Sequence, residues 1–174
     1  TDVDFQPTEL FEGEAFEAPR LEVMHGFATG FKAVFLEGTV QSGRCTAPDG
    51  TRHQAACPST PICFLSRHLV PPAHESVPAA SASRTRILLT GHSLGGAMAE
   101  IAAFYLQVFI GAKYGASRAD AVGGLVTFGA PRTGYASSSG NPSESWPYFV
   151  HVRIPFELRV TKYGDPVPTM PHRT

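Results

Sequence analysis

A glycine-flanked turn, Thr90-Gly91-His92-Ser93-Leu94-Gly95-Gly96, separates an apolar run, Ile87-Leu88-Leu89, from mostly apolar, helix-favouring sequence reaching Phe109. Few architectures satisfy that order. Consecutive apolar residues suit a strand buried on both faces of a sheet. A strand that passes at once into a helix belongs to βαβ organisation. Gly-x-Ser-x-Gly in that place holds its serine in a strained turn, with the hydroxyl projecting into a cleft. The spacing predicts glycine at 91 and at 95 because a Cβ at either position would collide with the neighbouring strand or helix. Gly96, Ala97 and Ala99 keep the helix small-sided where it meets the sheet. The helix N-terminus just beyond Ser93 offers backbone N–H groups and the positive end of a dipole. Leu94 N–H is thereby a candidate half of an oxyanion hole. Two nucleotide-binding readings of a glycine turn are excluded. G-x-G-x-x-G needs glycine where Ser93 stands, and a P-loop needs a Gly-Lys pair that is absent.

The same alternation continues downstream. Gly124-Leu125-Val126-Thr127-Phe128 reads as a second buried strand, ended by Gly129-Ala130-Pro131. Leu158-Arg159-Val160-Thr161-Lys162 reads as a third, followed by Gly164-Asp165-Pro166. Upstream, Phe27, Phe31, Val34 and Phe35 recur at helical spacing, which predicts a helix from about Gly26 to Leu36. Residues 41–84 differ in character. They hold six of the fifteen prolines and show no sustained period, as expected of an insert that need not pack. The expected fold is a single α/β domain with a mostly parallel sheet covered by helices.

Composition removes whole classes of function. With 14 basic against 15 acidic residues and a net charge of −1, the chain has no nucleic-acid footprint. No apolar run approaches the ~20 residues that span a bilayer. The opening Thr1-Asp2-Val3-Asp4-Phe5 carries neither an initiator Met nor a signal-peptide pattern, as in a fragment or a processed form. Cys45, Cys57 and Cys63 allow one internal pair. With His53 and His68 they form no paired C-x₂₋₄-C arrangement, so no zinc site is expected and a disulfide or free thiols is the better reading.

Thr90 to Ala99 (TGHSLGGAMA) closely resembles the serine turn of class 3 lipases, the fungal and plant triacylglycerol-lipase-like branch of the α/β-hydrolases. Val126 to Gly134 (VTFGAPRTG) resembles that family's second signature strand, and Arg159 to Pro168 (RVTKYGDPVP) its acid-bearing segment. Val23 to Phe27 (VMHGF) is similar to the family's V-H-x-G-F with the histidine shifted by one position. TDVDF at the start resembles the stretch after its first oxyanion strand. The resemblance implies an α/β-hydrolase core that hydrolyses carboxyl esters of acylglycerol-like lipids through an acyl-serine, at a lipid–water interface. It implies neither a metal nor an organic cofactor.

By that resemblance Ser93 is the nucleophile and Asp165 the triad acid, in the order Ser, Asp, His. Asp165 also follows a predicted strand, where strand C-termini line a cleft, and Pro166 stiffens the turn behind it. The base is harder to place. Of seven histidines (His25, His53, His68, His74, His92, His151, His172), only His172 follows Asp165, in a proline-stiffened stretch that leads away from it. The base is therefore expected beyond Thr174 and the first oxyanion residue before Thr1. His92, beside the serine, is expected to point elsewhere and be structural. His25 is expected near the turn, and His151 in an extended segment. Two other readings use the same residues: a thioesterase or acyltransferase with this triad, and a non-catalytic lipid-binding relative lacking its histidine. Acyl-acceptor preference separates the first, and a histidine past Thr174 the second.

Overall fold

The computed structural model describes residues 7–9, 21–37, 45–46, 52–53, 86–114, 122–136 and 140–171. In chain order these form β1 (Pro7–Glu9), β2 (Glu22–Met24), α1 (His25–Phe31) and a π-helical turn over Lys32–Leu36. Two short strands follow, β3 (Cys45–Thr46) and β4 (Arg52–His53). Then come β5 (Ile87–His92), α2 (Leu94–Tyr114), β6 (Val122–Phe128), α3 (Trp146–Arg153) and β7 (Glu157–Val160). The expected order of strand, serine turn, helix and strand is the order found.

The central sheet has three strands in the order β5-β6-β7, all parallel. A parallel neighbour needs a crossover long enough to return to the same edge, and the apolar helix α2 supplies it between β5 and β6. Both antiparallel pairs, β1-β2 and β3-β4, lie in separate two-stranded sheets. The second pair falls inside the expected insert at 41–84, most of which lies outside the described residues.

Helix α2 packs on β5 and β6, with α1 and α3 against it. Gly30 of α1 sits where a Cβ would touch Met98 Sδ of α2 at 3.5 Å. One core results, built on Phe27, Phe31, Ile101, Phe104, Leu106, Leu125 and Trp146. Its rings interlock: Phe31 lies 5.2 Å from Tyr105, and Phe104 lies 5.1 Å from Trp146. Offset or tilted aromatic pairs at these distances contribute beyond their buried area. Phe104 and Tyr105 are thus core residues, as their helical positions imply.

Three expectations are corrected. The run Ile87-Leu88-Leu89 is not buried on both faces, for Leu88 is 62% exposed. The register puts Thr90, Val126 and Leu158 on that face, then His92, Phe128 and Val160, and Phe128 is 44% exposed. Among the described residues, helices cover the opposite face only. His151 lies in helix α3 rather than in an extended segment. Pro147 stands in the first turn, where its missing N–H costs nothing, and Trp146 and Val150 bury one helical face. Finally, the predicted α1 changes pitch. Its α-helical part ends at Phe31, and Val34 in the following π turn is exposed.

Candidate active site

The serine turn joins β5 to α2 with no intervening loop, and steric economy shapes it. Ser93 has φ +52°, a left-handed conformation unusual for a residue with a side chain, and it is half-buried. Backbone bonds hold it there, the two shortest being these. Ser93 N–H donates to Phe128 O at 2.9 Å, and Gly96 N–H donates to Ser93 O at 2.9 Å. The turn is so tight that a Cβ on Gly91 would overlap the Gly95 carbonyl. A Cβ on Gly96 would lie 2.6 Å from Ala130 Cβ, in the loop after β6. Gly95 is different: nothing lies within 4 Å of where its Cβ would be. The expectation that Gly95 is required by a clash is therefore overturned. The helix rolls position 95 outward, and the contact falls on Gly96. Leu94 N–H belongs to the first, unpaired turn of α2, where backbone donors are free to serve an incoming anion.

Asp165 emerges at the same edge of the sheet, from the turn that follows β7. Strands β5 and β7 are two strand spacings apart, about 10 Å. Gly164 has φ +80°, Asp165 N–H donates to Lys162 O at 3.1 Å, and Asp165 Oδ1 accepts from Val167 N–H at 3.0 Å. One carboxylate oxygen is thus committed to its own turn. The other, Oδ2, lies 3.2 Å from the Cβ position of Gly129, which is also 3.9 Å from His92 Nε2. His92 and the Asp165 carboxylate therefore both border the space beside Gly129 that a Cβ would fill, and His92 is exposed rather than packed as a structural histidine would be.

Two arginines tie this acid-bearing loop to the loop after β6. Arg159 Nη2 donates to Ala130 O at 2.5 Å and to Pro168 O at 3.2 Å, and its Nη1 donates to Pro131 O at 3.3 Å. Arg132 N–H donates to Met170 O at 2.8 Å, and Arg132 Nη1 to Pro171 O at 3.1 Å. Sequence reasoning passed over both. The available signal was Arg159 itself, a charge between the apolar Leu158 and Val160.

A second unforeseen group is Glu100, two helical turns beyond Ser93 on α2 and buried. Its Oε1 accepts from Trp146 Nε1 of α3. Burial pushes its carboxyl up to about 7, with Glu157 adding to the rise, while the Trp146 N–H and the Arg159 charge pull it down. Glu100 therefore fastens the serine-bearing helix to Trp146 through a carboxyl that burial holds protonated to a higher pH than an ordinary glutamate.

The histidines divide. His25 is exposed at the start of α1, 3.4 Å from Thr29 Oγ1. His151 is exposed on α3. His172 lies outside the described residues, as do His68, His74, Cys57 and Cys63. No group of three or more His, Cys, Asp or Glu able to hold a metal ion occurs among the described residues. Nor is any helix there long and apolar enough to cross a membrane. Chemically, the arrangement presents a strained serine hydroxyl at a helix N-terminus and a carboxylate across the sheet edge. An imidazole between the two would complete a hydrolytic triad.

Residues 15–174 match the family model described as lipase (class 3). The chain is 37% identical over 98 residues to secreted mono- and diacylglycerol lipase 1 of Fusarium solani, a match covering 53% of this chain and 24% of that protein. The chain thus spans about a quarter of the length of the curated relative it matches.

Proposed function

Because the chain belongs to the class 3 lipase family, we propose that it hydrolyses carboxyl esters of acylglycerols through an acyl-serine intermediate on Ser93. The observation that carries this reading is the Ser93 turn: a side-chain-bearing residue at φ +52°, between a parallel strand and the first turn of a helix. Strain of that kind costs on the order of 1–2 kcal/mol and persists where neighbouring structure over-determines it. In this reading Ser93 Oγ attacks the ester carbonyl while an imidazole accepts its proton. The developing oxyanion takes a hydrogen bond from Leu94 N–H. The imidazole then returns the proton to the leaving glycerol oxygen, and water repeats the sequence on the acyl-serine. Asp165 holds the imidazole in its productive tautomer and stabilises its charged form.

Substrate approach from a lipid–water interface is supported by the apolar character of the site's rim. Leu94, Phe128, Val160 and Tyr163 are exposed on or beside the elements that carry Ser93 and Asp165. The relative's name, mono- and diacylglycerol lipase, points to partial glycerides among the acylglycerols worth assaying first.

The experiment is covalent labelling of the full-length protein with a fluorophosphonate, alongside hydrolysis of emulsified mono-, di- and triacylglycerols. Labelling and hydrolysis that both vanish in Ser93→Ala are the expected result. Hydrolysis retained in that variant would overturn the assignment. His172→Ala is expected to retain activity, and its loss would make His172 the base.

A further inference from the structure

We propose that Arg159 is a positioning residue for the triad acid: its guanidinium binds the Asp165 loop to the loop after β6 and so sets the carboxylate relative to Ser93. The inference rests on reading Asp165 as that acid.

Besides Arg159, the loop that carries Asp165 is held across the sheet edge near its two ends, by Gly129 N–H on Val160 O and by Arg132 on Met170 O and Pro171 O. After β7 ends at Val160, residues 161–166 are exposed except for Asp165, and the turn bonds mainly to itself through Lys162 O, Pro166 O and Val167 O. The strand register sends Leu158 and Val160 to the uncovered face, so Arg159, between them, projects to the side on which α2 packs. There its planar fork meets three carbonyls on two loops, Ala130 O and Pro131 O from one and Pro168 O from the other. Two of those acceptors belong to prolines, which have no N–H. Backbone bonds join the two loops on either side, Gly129 N–H to Val160 O and Arg132 N–H to Met170 O, and at the three carbonyls between them the Arg159 side chain supplies the donors.

Ala130 completes the connection. It is buried, and its Cβ is the atom that leaves Gly96 no room for a side chain, three residues past Ser93. A rigid path thus runs from the serine helix through Ala130 and Arg159 to Pro168 and the Asp165 turn. Lysine could supply a charge but not a planar fork that serves three acceptors at once.

The test uses the full-length protein with Arg159→Lys and Arg159→Met, each alone and combined with Asp165→Asn. Readouts are kcat and KM on a soluble ester, and the melting temperature. Arg159→Lys should lower kcat about tenfold and Arg159→Met about a hundredfold, with KM held within about twofold. In the Asp165→Asn background either substitution should change kcat by less than about twofold, because the group being positioned is gone. Full kcat in Arg159→Lys would overturn the proposal. So would an equal loss with and without the Asp165 carboxylate, or a collapsed melting transition in both variants, since each marks a merely structural role. Full kcat in Asp165→Asn alone would instead remove the acid assignment on which the proposal stands.

Discussion

The two halves of the candidate site are held by different physics. At one end, Ser93 is fixed by exclusion: Gly91 and Gly96 leave no room for side chains, and neighbouring backbone bonds close the turn. At the other, the Asp165 turn is fixed by reach: Arg159 and Arg132 stretch across to carbonyls of other loops. Exclusion is a local property that a five-residue pattern can encode. Reach is not, because its partners meet only after the sheet has formed.

That difference explains what the sequence could disclose. The strand, the serine turn and helix α2 were legible because each rests on a short-range rule of periodicity or of glycine geometry. Asp165 could be singled out as a candidate only through family resemblance and its place after a strand. Arg159 binds carbonyls 28 and 29 residues upstream, and Glu100 binds Trp146 from 46 residues away. No window of periodicity spans such distances. Gly95 shows the limit of even the local rule. The motif requires glycine there, yet the clash expected of it belongs to Gly96, because only the helix's rotation decides which Cβ faces Ala130. The run at 87–89 departs from expectation for a related reason: its composition reports a buried strand, but not which face its own neighbours cover.

The largest expected effect breaks the chemistry and spares the fold. Ser93→Ala should reduce ester hydrolysis by about 10⁴-fold or more, as loss of a nucleophile does in serine hydrolases. Its melting temperature should stay close to wild type, because the half-buried hydroxyl makes none of the backbone bonds that close the turn. Initial rates on a soluble ester and a thermal melt check both halves. Residual activity within tenfold of wild type would mean that exclusion at this turn serves something other than a nucleophile.

Next comes the exclusion itself. Gly96→Val would drive a β-branched side chain into Ala130, whose carbonyl Arg159 holds. Neither neighbour can retreat cheaply, so the cost should reach about 3 kcal/mol or more. Denaturant unfolding would record it, and a variant as stable as wild type would show that the loop after β6 yields.

A smaller effect separates the serine helix from its tether to Trp146. Glu100 titrates near 4.5 when unfolded and at about 7 when folded. The folded chain thus binds more protons between those values. Its stability is fully present below about pH 4.5 and is lost as pH rises through about 7. The drop is on the order of 3 kcal/mol for this group. Glu157 and Arg159 face the same carboxylate and oppose one another, which leaves burial as the governing cause. Glu100→Gln keeps an acceptor for the Trp146 N–H and removes the titration. Unfolding free energies from pH 4 to 8 should flatten in that variant, and an unchanged slope would assign the pH dependence elsewhere.

The smallest effect sharpens the comparison most, because it sets two adjacent glycines against each other. Gly95 has open space around its Cβ position and no positive φ, whereas Gly96 has Ala130. Gly95 also lies in the first turn of α2, where alanine lowers the entropy of the unfolded chain without meeting an obstacle. Gly95→Ala should therefore leave stability unchanged or raise it by about 0.5 kcal/mol. Its effect, if any, should fall on substrate: the new methyl group enters the open side of the helix start, one residue past the Leu94 N–H. Hydrolysis of short and long acyl esters, measured beside the melting temperature, distinguishes the outcomes. An unchanged melt with a shifted acyl preference would mean that glycine at 95 leaves room for the substrate. A melt lowered as far as that of Gly96→Val would mean that the serine turn is held by more than the contacts of Gly91 and Gly96.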